Sequence, residues 1–193
     1  MRRATPGSRV IYLDEVKKRF EQLHLVRSEK IIPCTEREIQ MLEQQLGLPL
    51  PGAYKKFLLW MGHGAGGFLR GSDCFYDRLP PLRAWAMELL KENGYAEPLP
   101  EDAFVFYMHQ GYQFYFVRVG EGDDPPVYFY SEAMETPAFI IEHPNLADFL
   151  NYHIDVYIRY RADHVTRLAE AEKNNPKRAK ELKDLSKRLG DDF

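Results

Sequence analysis

Between Thr35 and Gly62 the chain reads TEREIQMLEQQLGLPLPGAYKKFLLWMG, and no other stretch constrains the fold as tightly. Thr35 with Glu38 three residues later is a capping box, in which the hydroxyl accepts from an unpaired helix amide and the carboxylate reaches back to the cap residue's own N–H. Ile39, Leu42 and Leu46 keep helical spacing on one face until Gly47, which takes the left-handed backbone that closes a helix. Pro49 and Pro51 lack donors and hold the residues before them extended, so no helix passes through Leu48 to Pro51, yet Pro51 is suited to begin the next one. Tyr54, Phe57, Leu58 and Met61 form the stripe of that second helix, and Gly62 ends it. The expectation is two short helices meeting at a proline joint, with Leu46, Tyr54, Phe57 and Leu58 buried together.

The flanking segments supply a sheet and more helices. Ile11, Leu13, Val16, Phe20 and Leu23 mark an amphipathic first helix, followed by an extended Ile31-Ile32 pair. GHGAGGFLRG, residues 62–71, is too rich in glycine for a helix and reads as a hinge or surface loop with positive φ at several points. It lacks the ending of a phosphate-cradling loop. Pro80 and Pro81 open a helix that Asn93-Gly94 closes. The period then changes: Ala103 to His109 and Tyr112 to Val119 are aromatic-rich strands joined at Gln110-Gly111, apolar on both faces and therefore central in a sheet. Val127 to Tyr130 and Ala138 to Ile141 read as two more strands, and Asn145 caps a long helix running past Arg161. A final helix after Asn175-Pro176 carries Leu182, Leu185 and Leu189 in a charged segment and needs a surface to dock on. The fold class is α+β, a single domain with a central antiparallel sheet of at least four strands flanked by helices. The division expected is a helix and connector over residues 1–32, the domain over 33–160 and a charged helical tail over 161–193.

The pattern E-I-x-x-L-E-x-x-L-G, then L-P, then Y-x-x-F-L resembles the opening motif of the SUKH superfamily, which includes bacterial immunity proteins and yeast cell-wall regulators of the Smi/Knr type. Leu99-Pro100-Glu101, a hairpin with glycine at its turn, Pro126-Val127-Tyr128-Phe129 and Leu146 to Leu150 follow in the order typical of that superfamily. The likeness covers roughly residues 33 to 155, with Glu38, Leu42, Gly47, Pro49, Pro51, Tyr54, Phe57 and Leu58 as the structural motif. It implies a binding scaffold without enzymatic activity, most simply an immunity protein that neutralises a toxin by direct binding. The alternative it implies is a regulatory interaction module of the Smi/Knr type.

Charge gives the partner its sign. Between Tyr95 and Leu150 there are ten acids against the single base Arg118, whereas the whole chain has a net charge of only −3. Glu121, Asp123, Asp124, Glu132 and Glu135, in turns flanking the sheet, are the candidate partner-binding residues. They favour a basic partner such as a nuclease-type toxin and argue against nucleic acid, whose phosphates need basic flanks. No apolar run approaches the length of a membrane span, and the first residues lack the apolar core of a secretory leader, so a cytoplasmic protein is expected.

Catalytic and metal chemistry find little in the sequence. The six histidines show no H-x-x-x-H or H-E-x-x-H spacing, and Cys34 and Cys74 are far apart with no C-x-x-C partner, so no metal site and no cofactor are expected. The one nucleophilic pairing left open is His63 with Cys74, the basis of a third reading as an enzyme acting on a small molecule. The adjacent carboxylates Glu101-Asp102 and Asp123-Asp124 lie in proline- or glycine-rich turns and lack the separation that acid-base pairs need.

Overall fold

The capping box forms as its spacing requires. In the computed structural model, which describes residues 12–189 and the side chains of residues 13–187, Glu38 accepts the N–H of Thr35 at 2.7 Å and the Thr35 hydroxyl accepts the N–H of Glu38 at 3.3 Å. Helix α1 is Tyr12–Gln22, α2 is Glu36–Leu46 and α3 is Gly52–Met61. Ile11 and the side chain of Leu189, both placed on inner faces above, lie outside the described residues.

Gly47 closes α2 with φ +66. Tyr54, Phe57 and Leu58 are buried at the joint, while Leu46 is only half-buried, packed against the rim of the core. Gly62 ends α3 for a different reason from Gly47. Its backbone is right-handed, and a Cβ there would strike the Cys34 sulfur and the Leu58 carbonyl.

The glycine-rich segment is not a surface hinge. Its start, β2 (Gly64–Ala65), pairs antiparallel with β1 (Ile31–Ile32), and Phe68 and Leu69 plunge into the core. Phe68 meets Phe20 of α1 edge-on at 5.0 Å. The positive φ values at Gly64, Gly66, Leu69 and Gly71 serve to turn these two apolar side chains inward.

The main sheet has five antiparallel strands in the order β3-β4-β5-β6-β7: Ser72–Asp73, Ala103–His109, Gln113–Arg118, Val127–Ser131 and Ile140–His143. Gln110 and Gly111 both take positive φ at the β4–β5 turn, which Gly tolerates freely. The strand β7 begins two residues later than the apolar pattern implied. Phe139 leaves the ladder and packs instead on Phe114, Phe116, Tyr95 and Tyr130.

Helices cover both faces. Helix α4 (Leu79–Glu92) packs on β4 from one side. On the other, Tyr54 of α3 meets Phe104 and Phe106, and Phe149 of α5 (Leu146–Asn174) meets Phe106, Tyr107 and Tyr115. Helix α1 is tied to α5 by Arg19, which donates to Asn151 at 2.8 Å and pairs with Asp155. Helix α6 (Pro176–Leu189) folds back on α5, with Ala179 and Ala171 buried and Ser186 bonded to His164 at 2.8 Å. Among the described residues no helix is long and apolar enough to cross a membrane.

Candidate functional site

The five candidate acids fall into two groups, at opposite ends of β6 and about 13 Å of strand apart. Glu121, Asp123 and Asp124 belong to the β5–β6 turn, where Glu121 pairs with Arg118 and accepts from the Tyr128 hydroxyl. Asp123 is exposed, but its backbone carbonyl accepts the N–H of Ala53. Asp124 is half-buried and its carboxylate accepts the N–H of Leu146 at 3.1 Å. Burial pushes the Asp124 carboxyl above the usual range, against the opposing pull of that hydrogen bond. Glu132 and Glu135 are exposed in the β6–β7 connection, which leads into the edge strand β7. There Ile140 and Ile141 are 40% and 58% exposed, and Glu142 is exposed next to them.

His63 and Cys74 take different partners. The Cys74 thiol is buried, donates toward the Ser72 carbonyl at 3.9 Å and is driven upward in pKa by burial, which disfavours the thiolate. His63 instead binds Glu38, Nε2 to Oε1 at 2.9 Å, and packs its ring on Tyr76. The sulfur of Cys34 completes a group of three: Cys34 Sγ, a Glu38 oxygen and a His63 ring nitrogen all lie within 4.8 Å of one another. Burial first, then the charges of Glu38 and Asp77, raise the Cys34 thiol to about 12. Hydrogen bonds from Thr35 and His63 hold the Glu38 carboxyl down at about 2. Nothing in the local spacing announces this cluster, because the fold brings its members from the β1–α2 connection, α2 and the end of α3.

A cleft of about 360 Å³ lies between the sheet, α5 and the glycine-rich segment. Tyr107 and Tyr115 line it from the strands, Tyr152, His153, Tyr157 and Tyr160 from α5, and Arg70 from the segment. The Ser72 hydroxyl fixes one wall, 2.6 Å from the Tyr107 hydroxyl and 2.9 Å from His109 Nδ1. Burial raises the pKa of Tyr107 and Tyr115, the latter helped by Glu142, so both hydroxyls remain donors. Burial lowers His153 to about 3, leaving a neutral imidazole whose Nε2 is buried without a hydrogen-bond partner among the described residues.

The model of the SMI1 / KNR4 family (SUKH-1) matches residues 33–152, from the residue before Cys34 to the second turn of α5. The chain belongs to the SMI1/KNR4 family. No curated protein matches it. The superfamily resemblance read from the motif residues is therefore correct, and so is the α+β architecture. Family membership supports a regulatory or immunity-type role in general terms. In this SMI1/KNR4 protein the matched segment holds the Cys34 cluster, all five candidate acids and the strand wall of the cleft. Of the α5 wall only Tyr152 falls inside the match; His153, Tyr157 and Tyr160, the rest of α5 and all of α6 lie beyond it.

Proposed function

We propose that this protein neutralises a cognate toxin by direct binding, without chemistry of its own, and that the toxin is a basic, nuclease-type domain. The observation that carries the reading is the edge strand β7, where Ile140, Ile141 and Glu142 stand exposed in succession and the connection leading into it carries the exposed acids Glu132 and Glu135. An apolar centre with a charged rim is the anatomy of a protein interface, and a strand edge offers backbone groups for a partner to pair with. The surface continues into the tyrosine cleft through Tyr115, whose pKa is raised by burial and further by the neighbouring charge of Glu142 and a hydrogen bond to it. Tyrosines held by packing are favoured interface anchors. Of the ten acids between Tyr95 and Leu150, only Asp102 and Glu121 are paired with that segment's one base, Arg118, so the remainder impose a negative field. A nuclease must attract phosphate and therefore presents the complementary surface.

Affinity capture from the native host, with the retained protein identified, supplies the partner. Its association rate is expected to fall with salt and to drop about tenfold when Glu132 and Glu135 are reversed to lysine. A partner bound equally fast by that variant and across a tenfold range of salt would remove the β7 edge from consideration. The alternative is a regulatory module of the Smi/Knr type, favoured by the α5–α6 arm that extends past the family match. Capture of a cellular protein that depends on residues 175–193 and not on Glu132 and Glu135 would select it.

A further inference from the structure

We propose that Cys34, Glu38 and His63 form a binding site for a transition-metal ion, with zinc the ion best suited to this donor set. The three contribute one thiolate, one carboxylate and one imidazole, which is the borderline-soft mixture that zinc takes, and they come from the β1–α2 connection, helix α2 and the α3–β2 connection rather than from one exposed loop. Their ligand atoms lie within 4.8 Å of one another. A tetrahedral zinc ion needs ligand atoms about 3.3–3.8 Å apart, so side-chain adjustments of about 1–1.5 Å would seat it.

The backbone holds these positions in advance. The N–H of Cys34 donates to the Leu58 carbonyl at 2.9 Å, and the N–H of His63 donates to the Ile32 carbonyl at 2.8 Å. The Tyr76 hydroxyl donates to the Glu38 carbonyl at 3.1 Å, and its ring packs against His63. Gly62 lacks the side chain that would otherwise push the sulfur away. Such a supporting shell is what fixes metal ligands in register.

The charges suit a cation. Glu38 Oε2 is engaged by Thr35, which leaves Oε1 directed at His63 and able to ligate without breaking the capping box. The same Glu38 and Asp77 charges that oppose a bare Cys34 thiolate favour a thiolate bound to a divalent ion. On binding, the Cys34 S–H bond breaks as the sulfur–metal bond forms, and the proton passes to solvent. His63 ligates through the Nε2 lone pair with its ring proton on Nδ1. The side chains of His63 and Glu38 are 23% and 33% exposed, so an ion can enter and water can fill the fourth position.

Cobalt(II) titration of the reduced, tag-free full chain tests the site, because a cobalt–thiolate bond gives a charge-transfer absorption that nitrogen and oxygen ligands alone do not. The expected result is a band saturating at one cobalt per chain, abolished by added zinc and absent in Cys34→Ser but retained in Cys74→Ser. His63→Gln, at a partly exposed position, should weaken binding by more than the roughly 10–100-fold that loss of a supporting group costs, while circular dichroism stays that of the parent. No band in the parent chain, or a band that survives Cys34→Ser, would overturn the proposal.

Discussion

The carboxylate of Asp124 accepts the N–H of Leu146 at the first turn of α5, 3.1 Å away. One residue earlier, the Asp123 carbonyl accepts the N–H of Ala53 at the first turn of α3, 2.9 Å away. Helix α3 has Pro51 at its cap position and no side-chain cap, so this borrowed carbonyl satisfies an amide that its own sequence leaves open. The acidic turn is thus a joint between two helix amino termini, supplying each with an acceptor for an amide that the helix leaves open.

Asp124→Asn keeps the acceptor and removes the buried charge, so we expect stability equal to or above the parent at neutral pH. Asp124→Ala should cost about 1 kcal/mol, as loss of a helix-end acceptor does. Because the folded pKa of Asp124 is raised above 3.8, the folded chain holds this proton more tightly than the unfolded one. Its stabilising effect is therefore present at low pH and lost as pH rises through the raised value, and the Asn variant should lack that slope. Urea midpoints at about pH 4 and 7 for the three chains check both points.

Gly47 and Gly62 should respond to alanine for opposite reasons. At Gly47 there is open space around a Cβ but φ is +66, so Gly47→Ala pays only backbone strain, about 1 kcal/mol. At Gly62 the backbone is ordinary and the space is taken, so Gly62→Ala should cost about 1–3 kcal/mol by overpacking. Cys34→Ala added to Gly62→Ala should recover part of that loss, because the sulfur is one of the two obstacles. Chemical denaturation of the double mutant reads the recovery directly.

These two glycines also mark where sequence reasoning stops. The capping box, the Gly47 stop and the strands from Ala103 to Arg118 were legible because each is decided by residues within a few positions. Phe139 matched a strand pattern, yet it is held by four aromatic rings from other elements, a preference no local period expresses. The glycine-rich segment was misplaced to the surface because composition shows its backbone freedom but not where Phe68 and Leu69 point. The site is less legible still. Cys34, Glu38 and His63 share no motif, and Asp124 looks like any turn acid until Leu146 arrives from 22 residues away.

His153 should make the protein sensitive to mild acid. Burial lowers it from 6.5 to about 3, so between these values the unfolded chain binds the proton and the folded chain does not. Stability should therefore fall as pH drops below about 6.5, by at most about 1.4 kcal/mol per pH unit from this group. His143, also lowered by burial, acts in the same direction. His153→Phe should make the slope between about pH 5 and 6.5 shallower, and equilibrium unfolding across that range measures it. An unchanged slope would mean that the imidazole is hydrated in solution.

Removing residues 175–193 should leave the domain folded while loosening the far half of α5. His164 and Ala171 are buried against α6, whereas Ile154 and Tyr157 are buried in the main core. Hydrogen exchange should then show lost protection over 164–174 and unchanged protection over 146–157. Uniform loss along the whole helix would show that α6 belongs to the core.

The order of the main sheet follows the order of the chain, β3 to β7, without a crossover. From β4 onward each strand meets its partner across a short connection, so assembly can start at the Gln110-Gly111 hairpin and add strands one at a time at small entropic cost. The carbonyl that caps the start of α3 is carried on the β5–β6 turn, so we expect the pair α2 and α3, although early in the chain, to dock after that hairpin has formed. Mutational effects on folding rate should accordingly be large at Phe114 and Phe116 and small at Phe57, where the loss should appear in the unfolding rate instead. The family's most recognisable motif would then be the last part of the domain to lock.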